Sequence, residues 1–322
     1  MNLATIDSPQ GHPRPAVLFD ATDTGADADA DSGWALLEDL APPTHPLASK
    51  LSRLVDVLPH LDELRELVAA ARNSPALKLN HKPRFHPPVP QPHAFRDFYA
   101  FEQHVKTCRE KRGAKVAPEW YEVPVFYFSN PGSLIGKNAS VYAPRGCVEL
   151  DFELELGVII GKGGKDIAPE RAWDHVAGFT IINDFSARDL QRKEMAVGLG
   201  PAKGKDFATG VGSLVTLDEF KDVIDADGRV NLWMRALVNR KELSRGNAKS
   251  MHYTWPQLIA QASRDAELYT GDLIGSGTVG TGCILELGPE NTGGWLKPGD
   301  VVELEIERLG VLPNTVVPRE QR

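Results

Sequence analysis

The sequence predicts an α+β fold in which a large strand-rich domain follows a small N-terminal α/β unit. Short apolar or alternating segments bounded by glycine and proline recur through the C-terminal two-thirds, and few helical segments separate them. This is a poor match for regular alternation of β and α units. The proline-rich stretch at residues 80–97 has the composition of an extended linker, so the chain is divided into residues 1–88 and 89–322.

The N-terminal unit is predicted from three segments. Residues 1–20 predict a short hairpin that turns at Ser8-Pro9-Gln10-Gly11. Residues 20–31 alternate Ala, Asp, Thr and Gly, a low-complexity composition typical of a mobile loop. From Pro46 to Ala71 leucines recur at helical spacing and Pro59 interrupts them, which predicts two helices.

The large domain is organised around the stretch from Val148 to Gly157. Its carboxylates, Glu149, Asp151, Glu153 and Glu155, fall at every second residue with apolar residues between them, which is the period of a β-strand. All four would share one face of that strand. Because adjacent like charges destabilise a sheet, this face is either open to solvent or holds a cation.

The residues that follow favour a buried, cation-holding face. Leu156 to Ile160 is an almost purely apolar run, typical of a strand buried on both faces. Such a strand would carry Glu153 and Glu155 towards the interior, where carboxylates are rare unless they are paired or bound to a metal. An amphipathic strand with one solvated face is the alternative.

Polar residues also lie at the ends of other predicted elements. Asp97 is predicted to cap a helix on which His104 and Cys108 share one face. His104 is then either a functional group or a core histidine with a satisfied hydrogen bond. The buried strand at residues 177–182 opens at residues 183–191 into a polar turn, and sites are commonly assembled at such turns.

The glycine-rich segment at residues 198–210 carries a central lysine, Lys205. It lacks the spacing of a nucleotide-binding P-loop, because Asp206 stands where that motif requires a hydroxyl residue, so this nucleotide site is rejected. Beyond it the patterns predict a hairpin at 230–243, a helix at 253–269, a glycine-rich strand and loop at 271–283 and the last strand at 301–306.

Composition bounds the function class. The net charge of -8 and the pI near 5.6 argue against a nucleic-acid surface, which needs a concentrated basic patch. No apolar run approaches a membrane span and the first residues lack a signal peptide, so we expect a cytoplasmic protein without membrane contact. Cys108, Cys147 and Cys283 form no C-x-x-C arrangement, which suits a reducing compartment, and each is expected to be a small core residue.

Taken together, these motifs resemble the fumarylacetoacetate hydrolase family from about Arg96 to Ile306. Glu153-Leu154-Glu155 matches the family's Glu-x-Glu, Asp184 its aspartate on the next strand, and Asp97 in Asp-Phe-Tyr its early aspartate. The resemblance implies a mixed β-sandwich or roll for the catalytic domain. It also implies a metal site whose ligands are Asp97, Glu153, Glu155 and Asp184, with Thr209 close to the metal.

The larger, fumarylacetoacetase-type members also carry a histidine shortly after the first aspartate and a late glutamate, matched by His104 and Glu286. The resemblance implies that this pair is a general base and the carboxylate that orients it. Met195 departs from the family, because it occupies the place of a substrate-binding tyrosine. The remaining matches are Arg188, Gln191 and Lys205 as catalytic residues and Tyr99, Arg112, Tyr127 and Thr278 as substrate contacts.

Four carboxylates without a Cys or His ligand form a hard oxygen site suited to Mg²⁺, with Mn²⁺ or Ca²⁺ as alternatives, more than to zinc. The resemblance thus implies a homodimeric, metal-dependent hydrolase that cleaves a carbon-carbon bond in a β-diketo acid, such as fumarylacetoacetate or an acylpyruvate, in aromatic compound catabolism. Three alternatives stay open. They are a decarboxylase, isomerase or hydratase of a 2-oxo or 2-hydroxydienoic acid, a metal-dependent binding protein without chemistry, and a structural domain with a solvated acidic strand.

Overall fold

The computed structural model describes residues 1–19, 33–71, 74, 77–79 and 81–319. The low-complexity stretch at 20–31 lies outside the described residues. The strands are β1 Asn2–Asp7, β2 Pro13–Leu18, β3 Trp34–Leu36, β4 Phe85–His86, β5 Phe95–Phe98, β6 Phe126–Ser129, β7 Leu134–Ile135, β8 Ser140–Val141, β9 Leu150–Asp151, β10 Leu154–Ile160, β11 Val176–Asp184, β12 Ser186–Ala187, β13 Thr209–Val211, β14 Leu214–Thr216, β15 Trp233–Val238, β16 Lys241–Asn247, β17 Leu273–Gly275, β18 Val301–Ile306 and β19 Gly310–Val316.

Within the described ranges, helices are fewer than strands, which fits the predicted α+β class. The α-helices are α1 Leu54–Val57, α2 Leu61–Ala71, α3 Glu102–Glu110, α4 Arg188–Ala196, α5 Trp255–Ser263, α6 Ile284–Leu287 and α7 Pro289–Thr292. The 3₁₀-helices are Leu37–Leu40, Ala48–Lys50, Leu58–His60, Pro118–Tyr121, Pro131–Ser133, Pro169–His175, Leu217–Phe220 and Ala248–Ser250. No helix in the described part of the chain is long and apolar enough to span a bilayer.

Two sheets pack against each other. Among the described residues, the main sheet runs β3-β2-β1-β14-β11-β10-β17-β5-β6 and the second sheet runs β16-β15-β18-β19-β8. Leu156 and Val158 of β10 belong to the same buried apolar cluster as Met234 and Leu304 of the second sheet. The predicted strand-rich α+β class is therefore confirmed, with β10 and its neighbours at the centre of the core.

The N-terminal strands extend the main sheet. The predicted hairpin is present, with Leu3 opposite Val17, and β1 also pairs with β14 through Leu3 and Leu214. Leu64 of α2 lies in one apolar cluster with Ile182 of β11. Residues before and after position 88 thus share both a sheet and a core, and the division at 88/89 stays a prediction.

The acidic stretch is two strands where one is predicted. β9 ends at Asp151 and pairs with β12, whereas β10 begins at Leu154 and pairs with β11. Between the two strands, the backbone amides donate to side-chain oxygens. The Phe152 amide donates to Asp151 Oδ1, and the Glu153 amide donates to Asn183 Oδ1. The chain therefore passes from the two-stranded β9-β12 sheet to the main sheet between Asp151 and Leu154, and both strands are buried.

Three local predictions are wrong. Asp97 does not cap a helix; it lies in β5 between Tyr127 of β6 and Gly275 of β17, whose pairing keeps its backbone extended. The helix predicted to run to residue 269 ends at Ser263, because Arg264 is extended and Asp265 has a positive φ of 56°. The strand at 301–306 is not the last, since β19 follows and pairs with it; Gly310 and Pro313 in β19 hide its strand pattern.

Candidate metal and catalytic site

A cavity of about 260 Å³ opens where β5, β6, α3, α4 and the start of β10 meet. The predicted site residues that line it are Asp97, Tyr99, His104, Arg112, Tyr127, Glu153, Glu155, Arg188, Gln191, Lys205 and Thr278. The other three predicted site residues do not line the cavity, but each forms a side-chain hydrogen bond with another residue of the site. They are Asp184, Thr209 and Glu286. The structure thus brings together side chains that are separated by as many as 189 positions in sequence, from Asp97 to Glu286.

Three buried carboxylates converge at the inner end of this cavity. Asp97, Glu155 and Asp184 each offer an oxygen within 4.8 Å of the others. They come from β5, β10 and β11, and β17 passes between the first two at Gly275. A Cβ atom at Gly275 would lie 2.2 Å from Asp97 Oδ1 and 3.1 Å from Glu155 Oε2. The glycine therefore leaves the room in which two carboxylates from non-adjacent strands can meet.

This carboxylate cluster, Asp97, Glu155 and Asp184, is short of positive charge. Asp97 Oδ1 and Glu155 Oε2 are buried and receive no hydrogen bond from the described residues. Burial and the negative charge of the neighbouring carboxylates both disfavour ionisation, so they raise the pKa values of Asp97 and Glu155 well above the usual range of a carboxyl group. Oxygen ligands with unused lone pairs and unbalanced negative charge fit a hard divalent cation such as Mg²⁺, Mn²⁺ or Ca²⁺.

Glu153 has a different environment, although it lies only two residues from Glu155. Arg188 donates to its Oε1 at 2.6 Å, and the Lys205 ammonium donates to its Oε2. Burial alone would raise the pKa of Glu153, but these two cations outweigh burial and hold the pKa below its usual range. Both oxygens are occupied, so the structure does not group Glu153 with the other three carboxylates, and its role as a metal ligand stays a prediction.

Lys205 and Arg188 are held in place by buried acids. Lys205 also donates to Asp184 Oδ2 at 2.5 Å. Arg188 also donates to Asp151 at 2.9 Å and to Gln191 at 3.1 Å. In the structure its acidic partners are Asp151 and Glu153, because the turn after β9 brings both beside the start of α4.

The predicted base and its partner are in contact. His104 Nδ1 lies 2.7 Å from Glu286 Oε2, and Glu286 Oε1 accepts from the Thr281 amide at 3.1 Å. Burial lowers the pKa of His104, but Glu286 and Cys283 outweigh it and raise the pKa to about 10. With Nδ1 held by the carboxylate, Nε2 is the ring nitrogen left for the cavity.

The predicted substrate contacts surround the same space. Tyr127 donates to Asp184 at 2.6 Å, and Thr278 donates to Glu155 at 3.4 Å. Thr209, predicted close to the metal, donates to Asp184 at 3.4 Å. The Tyr99 ring meets the His104 ring edge to face at 5.3 Å. These groups orient the carboxylates and the imidazole, so they shape the site even before a substrate is present.

Three residues at the site are not among the predicted site residues. Arg109 lines the cavity one helical turn before Arg112, and this i, i+3 spacing from a predicted substrate contact is the available signal. Asp151 anchors Arg188 and accepts two amides at the start of α6, a role that depends on the turn between the sheets. Gly275 has no local signal, because its importance comes from the strands on either side.

The model of the fumarylacetoacetate (FAA) hydrolase C-terminal family matches residues 93–317. An uncharacterized protein of Pyrococcus abyssi is 32% identical over 199 residues, which are 62% of this chain and 82% of the relative. A 2,4-didehydro-3-deoxy-L-rhamnonate hydrolase of Sphingomonas sp. is 36% identical over 189 residues, 58% of this chain; the match spans 62% of that relative, less than two thirds of its length.

Solved structures match along the whole chain. A putative HpcE protein from Mycobacterium smegmatis has a TM-score of 0.73 and 26% identity, with 99% of this chain and 100% of that chain covered. A maleylpyruvate hydrolase from Sphingobium sp., solved with manganese(II) and pyruvate, has a TM-score of 0.69 and 22% identity over 99% of this chain and 100% of its own. At 22% identity, the similarity to the maleylpyruvate hydrolase is a similarity of fold.

Proposed function

Because the chain belongs to the FAA hydrolase family, we propose that it is a divalent-metal-dependent hydrolase that cleaves a carbon-carbon bond in a β-diketo acid of the fumarylacetoacetate or acylpyruvate type. The observation that carries the proposal is the 2.7 Å contact between His104 and Glu286, beside the same cavity as the carboxylate cluster. A metal site alone would serve an isomerase or a decarboxylase equally well. A base with an orienting carboxylate adds the means to activate water.

Asp97, Glu155 and Asp184 would hold the cation, which we propose is Mg²⁺, with Mn²⁺ or Ca²⁺ as alternatives. Bound there, a divalent cation supplies Lewis acidity towards the oxygens of a 2-oxo acid. The manganese(II) and pyruvate bound to the Sphingobium relative support this choice of cation class and of substrate class. In this proposal Glu153 keeps Arg188 and Lys205 in position at the edge of the cluster.

His104 would take a proton from water at Nε2, while Glu286 holds the Nδ1 proton and stabilises the imidazolium. The hydroxide attacks the carbonyl carbon, the bond to the adjacent carbon breaks, and the proton on His104 passes to the departing carbanion. Lys205 and Arg188, with Gln191 beside them, would stabilise the negative charge that develops on the oxygens. Since a base must be unprotonated to act, we expect kcat/KM to rise with pH across the neutral range towards the raised pKa of His104.

The outer part of the cavity would select the substrate's far end. Arg109 and Arg112 line it from α3 and the turn after it, and they offer charge for a second carboxylate. Arg112 Nη1 lies 3.5 Å from Met195 Sδ, at the position where the family has a tyrosine. A thioether replaces a hydroxyl there, so we propose that this side of the cavity receives an apolar part of the substrate.

The test is ultraviolet absorbance of β-diketo acids, including fumarylacetoacetate and acylpyruvates, incubated with protein and either Mg²⁺ or EDTA. We expect one member to lose its enol band only with metal and to yield two carboxylic products. The matched control is the Asp97→Asn, Glu155→Gln double variant, which should leave the band intact even with Mg²⁺. Consumption without a second product would replace hydrolysis by decarboxylation, isomerisation or hydration.

We also propose, from the family resemblance, that the protein acts as a homodimer in the cytoplasm. Light scattering coupled to size-exclusion chromatography tests the assembly directly. A mass of twice the 35.2 kDa chain is the expected result. A monomeric mass at micromolar concentration would contradict it.

A further inference from the structure

Two thiols lie against the base and its partner. Cys108 Sγ is 3.8 Å from His104 Nδ1 and 3.7 Å from His104 Nε2. Cys283 Sγ is 3.7 Å from Glu286 Oε2. Cys283 also interacts with Cys108 and lowers the pKa of the Cys108 thiol. Two sulfurs, one imidazole and one carboxylate therefore occupy a single buried cluster, and the mechanism proposed above uses neither sulfur.

The spacing of these atoms fits a tetrahedral metal. Ligands at the usual Zn-S, Zn-N and Zn-O distances lie about 3.3 to 3.8 Å from one another at the corners of a tetrahedron. His104, Cys283 and Glu286 offer ligand atoms within 4.8 Å of each other, and Cys108 stands within 3.8 Å of the imidazole. The 2.7 Å contact between His104 and Glu286 would have to open, by about 0.6 Å.

We propose that Cys108, Cys283, His104 and Glu286 form a second metal site, which binds a thiophilic divalent cation such as Zn²⁺ and thereby switches the enzyme off. Sulfur and imidazole ligands select soft or borderline cations, whereas the all-oxygen carboxylate cluster selects hard ones. The two sites would therefore take different metals from the same solution.

The four proposed ligands of the second metal site come from two short segments of the sequence, two ligands from each. His104 and Cys108 are four residues apart on α3 and face the same side, while Cys283 and Glu286 are three apart at the start of α6. His104 and Cys108 both line the cavity, so an ion can reach the cluster along the substrate's path. The cluster is otherwise shielded from water, since each of its four residues is at most 8% exposed.

A metal ion at this second site would inactivate the general base, because it would take the place of the proton on His104 Nδ1. A cation on Nδ1 displaces the Nδ1 proton and separates the ring from the Glu286 carboxylate. The neutral ring then carries its proton on Nε2, so it has no lone pair there to accept a proton from water. This consequence for turnover rests on the proposed function, but the binding of the metal does not.

The test is a titration of the Asp97→Asn, Glu155→Gln double variant with Co²⁺, an open-shell substitute for Zn²⁺. Removing the carboxylate cluster leaves the thiol cluster as the site to be observed. We expect thiolate-to-cobalt charge-transfer absorption together with the visible bands of tetrahedral Co²⁺, both abolished by stoichiometric Zn²⁺. Absence of the charge-transfer band at saturating Co²⁺ would overturn the proposal.

Variants in the same background locate the metal. Cys108→Ser and Cys283→Ser should each weaken Zn²⁺ binding by about tenfold or more, because each removes a direct ligand. Cys147→Ser is the matched control, since Cys147 lies outside the cluster and should leave the affinity unchanged. Equal affinity in all three variants would overturn the proposal.

X-ray absorption of the Zn²⁺-loaded wild-type protein needs no variant at the cluster and therefore does not depend on how the cysteine variants fold. Two sulfur neighbours per zinc are expected, and a shell of oxygen and nitrogen alone would contradict the site. If the protein proves to have no hydrolase activity, these binding results still stand or fall on their own. If it is active, Zn²⁺ should inhibit it in the presence of excess Mg²⁺, and Cys108→Ser should weaken that inhibition.

Discussion

Four of the buried acids at the candidate site fall into two groups that differ in how their charge is balanced. Asp151 and Glu153 are bonded to Arg188, and Glu153 also to Lys205. Asp97 and Glu155 are equally buried, yet each has an oxygen that receives no hydrogen bond from the residues the structure describes. Burial raises the pKa in both groups. The neighbouring cations outweigh burial at Glu153, whose pKa falls, but not at Asp151, whose pKa rises as do those of Asp97 and Glu155.

The difference in charge balance indicates which of the buried carboxylates would bind a cation. A buried carboxylate that already has a guanidinium partner is a structural element, and removing the partner exposes its full desolvation cost. A buried carboxylate without a partner is costly in the metal-free protein, where it favours its protonated form, and its charge is balanced when a cation binds. The first group should therefore matter for stability without metal, and the second for stability with it.

The largest expected effect comes from Arg188→Met. The substitution leaves Asp151 and Glu153 buried with much of their positive charge removed, and should lower the free energy of unfolding by about 3 to 5 kcal/mol. Urea unfolding in EDTA measures it. Arg192→Met is the control, because the Arg192 side chain is exposed and its pair with the partly buried Glu149 should contribute less than about 1 kcal/mol. Equal losses in the two variants would erase the distinction between the two groups of acids.

Asp97→Asn should behave in the opposite way. It removes a carboxylate from an unbalanced cluster, so the metal-free protein should keep its stability or gain about 1 kcal/mol. The wild type should gain about 2.7 kcal/mol with Mn²⁺ at one hundred times its Kd, and the variant at the same concentration should gain much less. Unfolding with and without Mn²⁺ measures both. A destabilised metal-free variant with an intact Mn²⁺ effect would assign Asp97 a structural role.

The His104–Glu286 pair predicts a dependence on pH. The pKa of His104 is about 10 in the folded protein and about 6.5 when unfolded, so the charged pair stabilises fully below about pH 6.5. That contribution should be lost progressively as the pH rises from about 6.5 through about 10. The free energy of unfolding of the wild type and of Glu286→Gln, measured in EDTA from pH 6 to 10, isolates the contribution of this pair. A constant difference between the two proteins would contradict the raised pKa.

Gly275→Ala gives the smallest of these effects and tests the space between Asp97 and Glu155. The added methyl would lie 2.2 Å from Asp97 Oδ1, so the carboxylate must move away from Glu155. We expect the Kd for Mn²⁺ to rise about tenfold, or about 1.4 kcal/mol, in isothermal titration calorimetry. An unchanged Kd would mean that the two carboxylates do not bind the same ion.

The sequence predicts the carboxylates better than it predicts their partners. Alternation and the apolar run after Leu156 are local signals, and they place Glu155 inside the core. Asp97 has no such signal, since its place in β5 depends on pairing with β17, far along the chain. The turn that separates Asp151 from the cluster rests on Asn183, thirty residues away. Distant pairing, which local periodicity does not encode, thus decides which acids are balanced and which are not.

The most direct test of the account compares product formation by the wild type and His104→Gln on the substrate that the absorbance panel identifies, with saturating Mg²⁺. If His104 activates water, the variant should bind Mn²⁺ as the wild type does but lose about 10²- to 10⁴-fold in kcat. Glu286→Gln should lose activity as well, because the imidazole is then neither oriented nor stabilised in its charged form. Full turnover by His104→Gln would contradict carbon-carbon hydrolysis and leave the carboxylate cluster as the centre of an isomerase or decarboxylase.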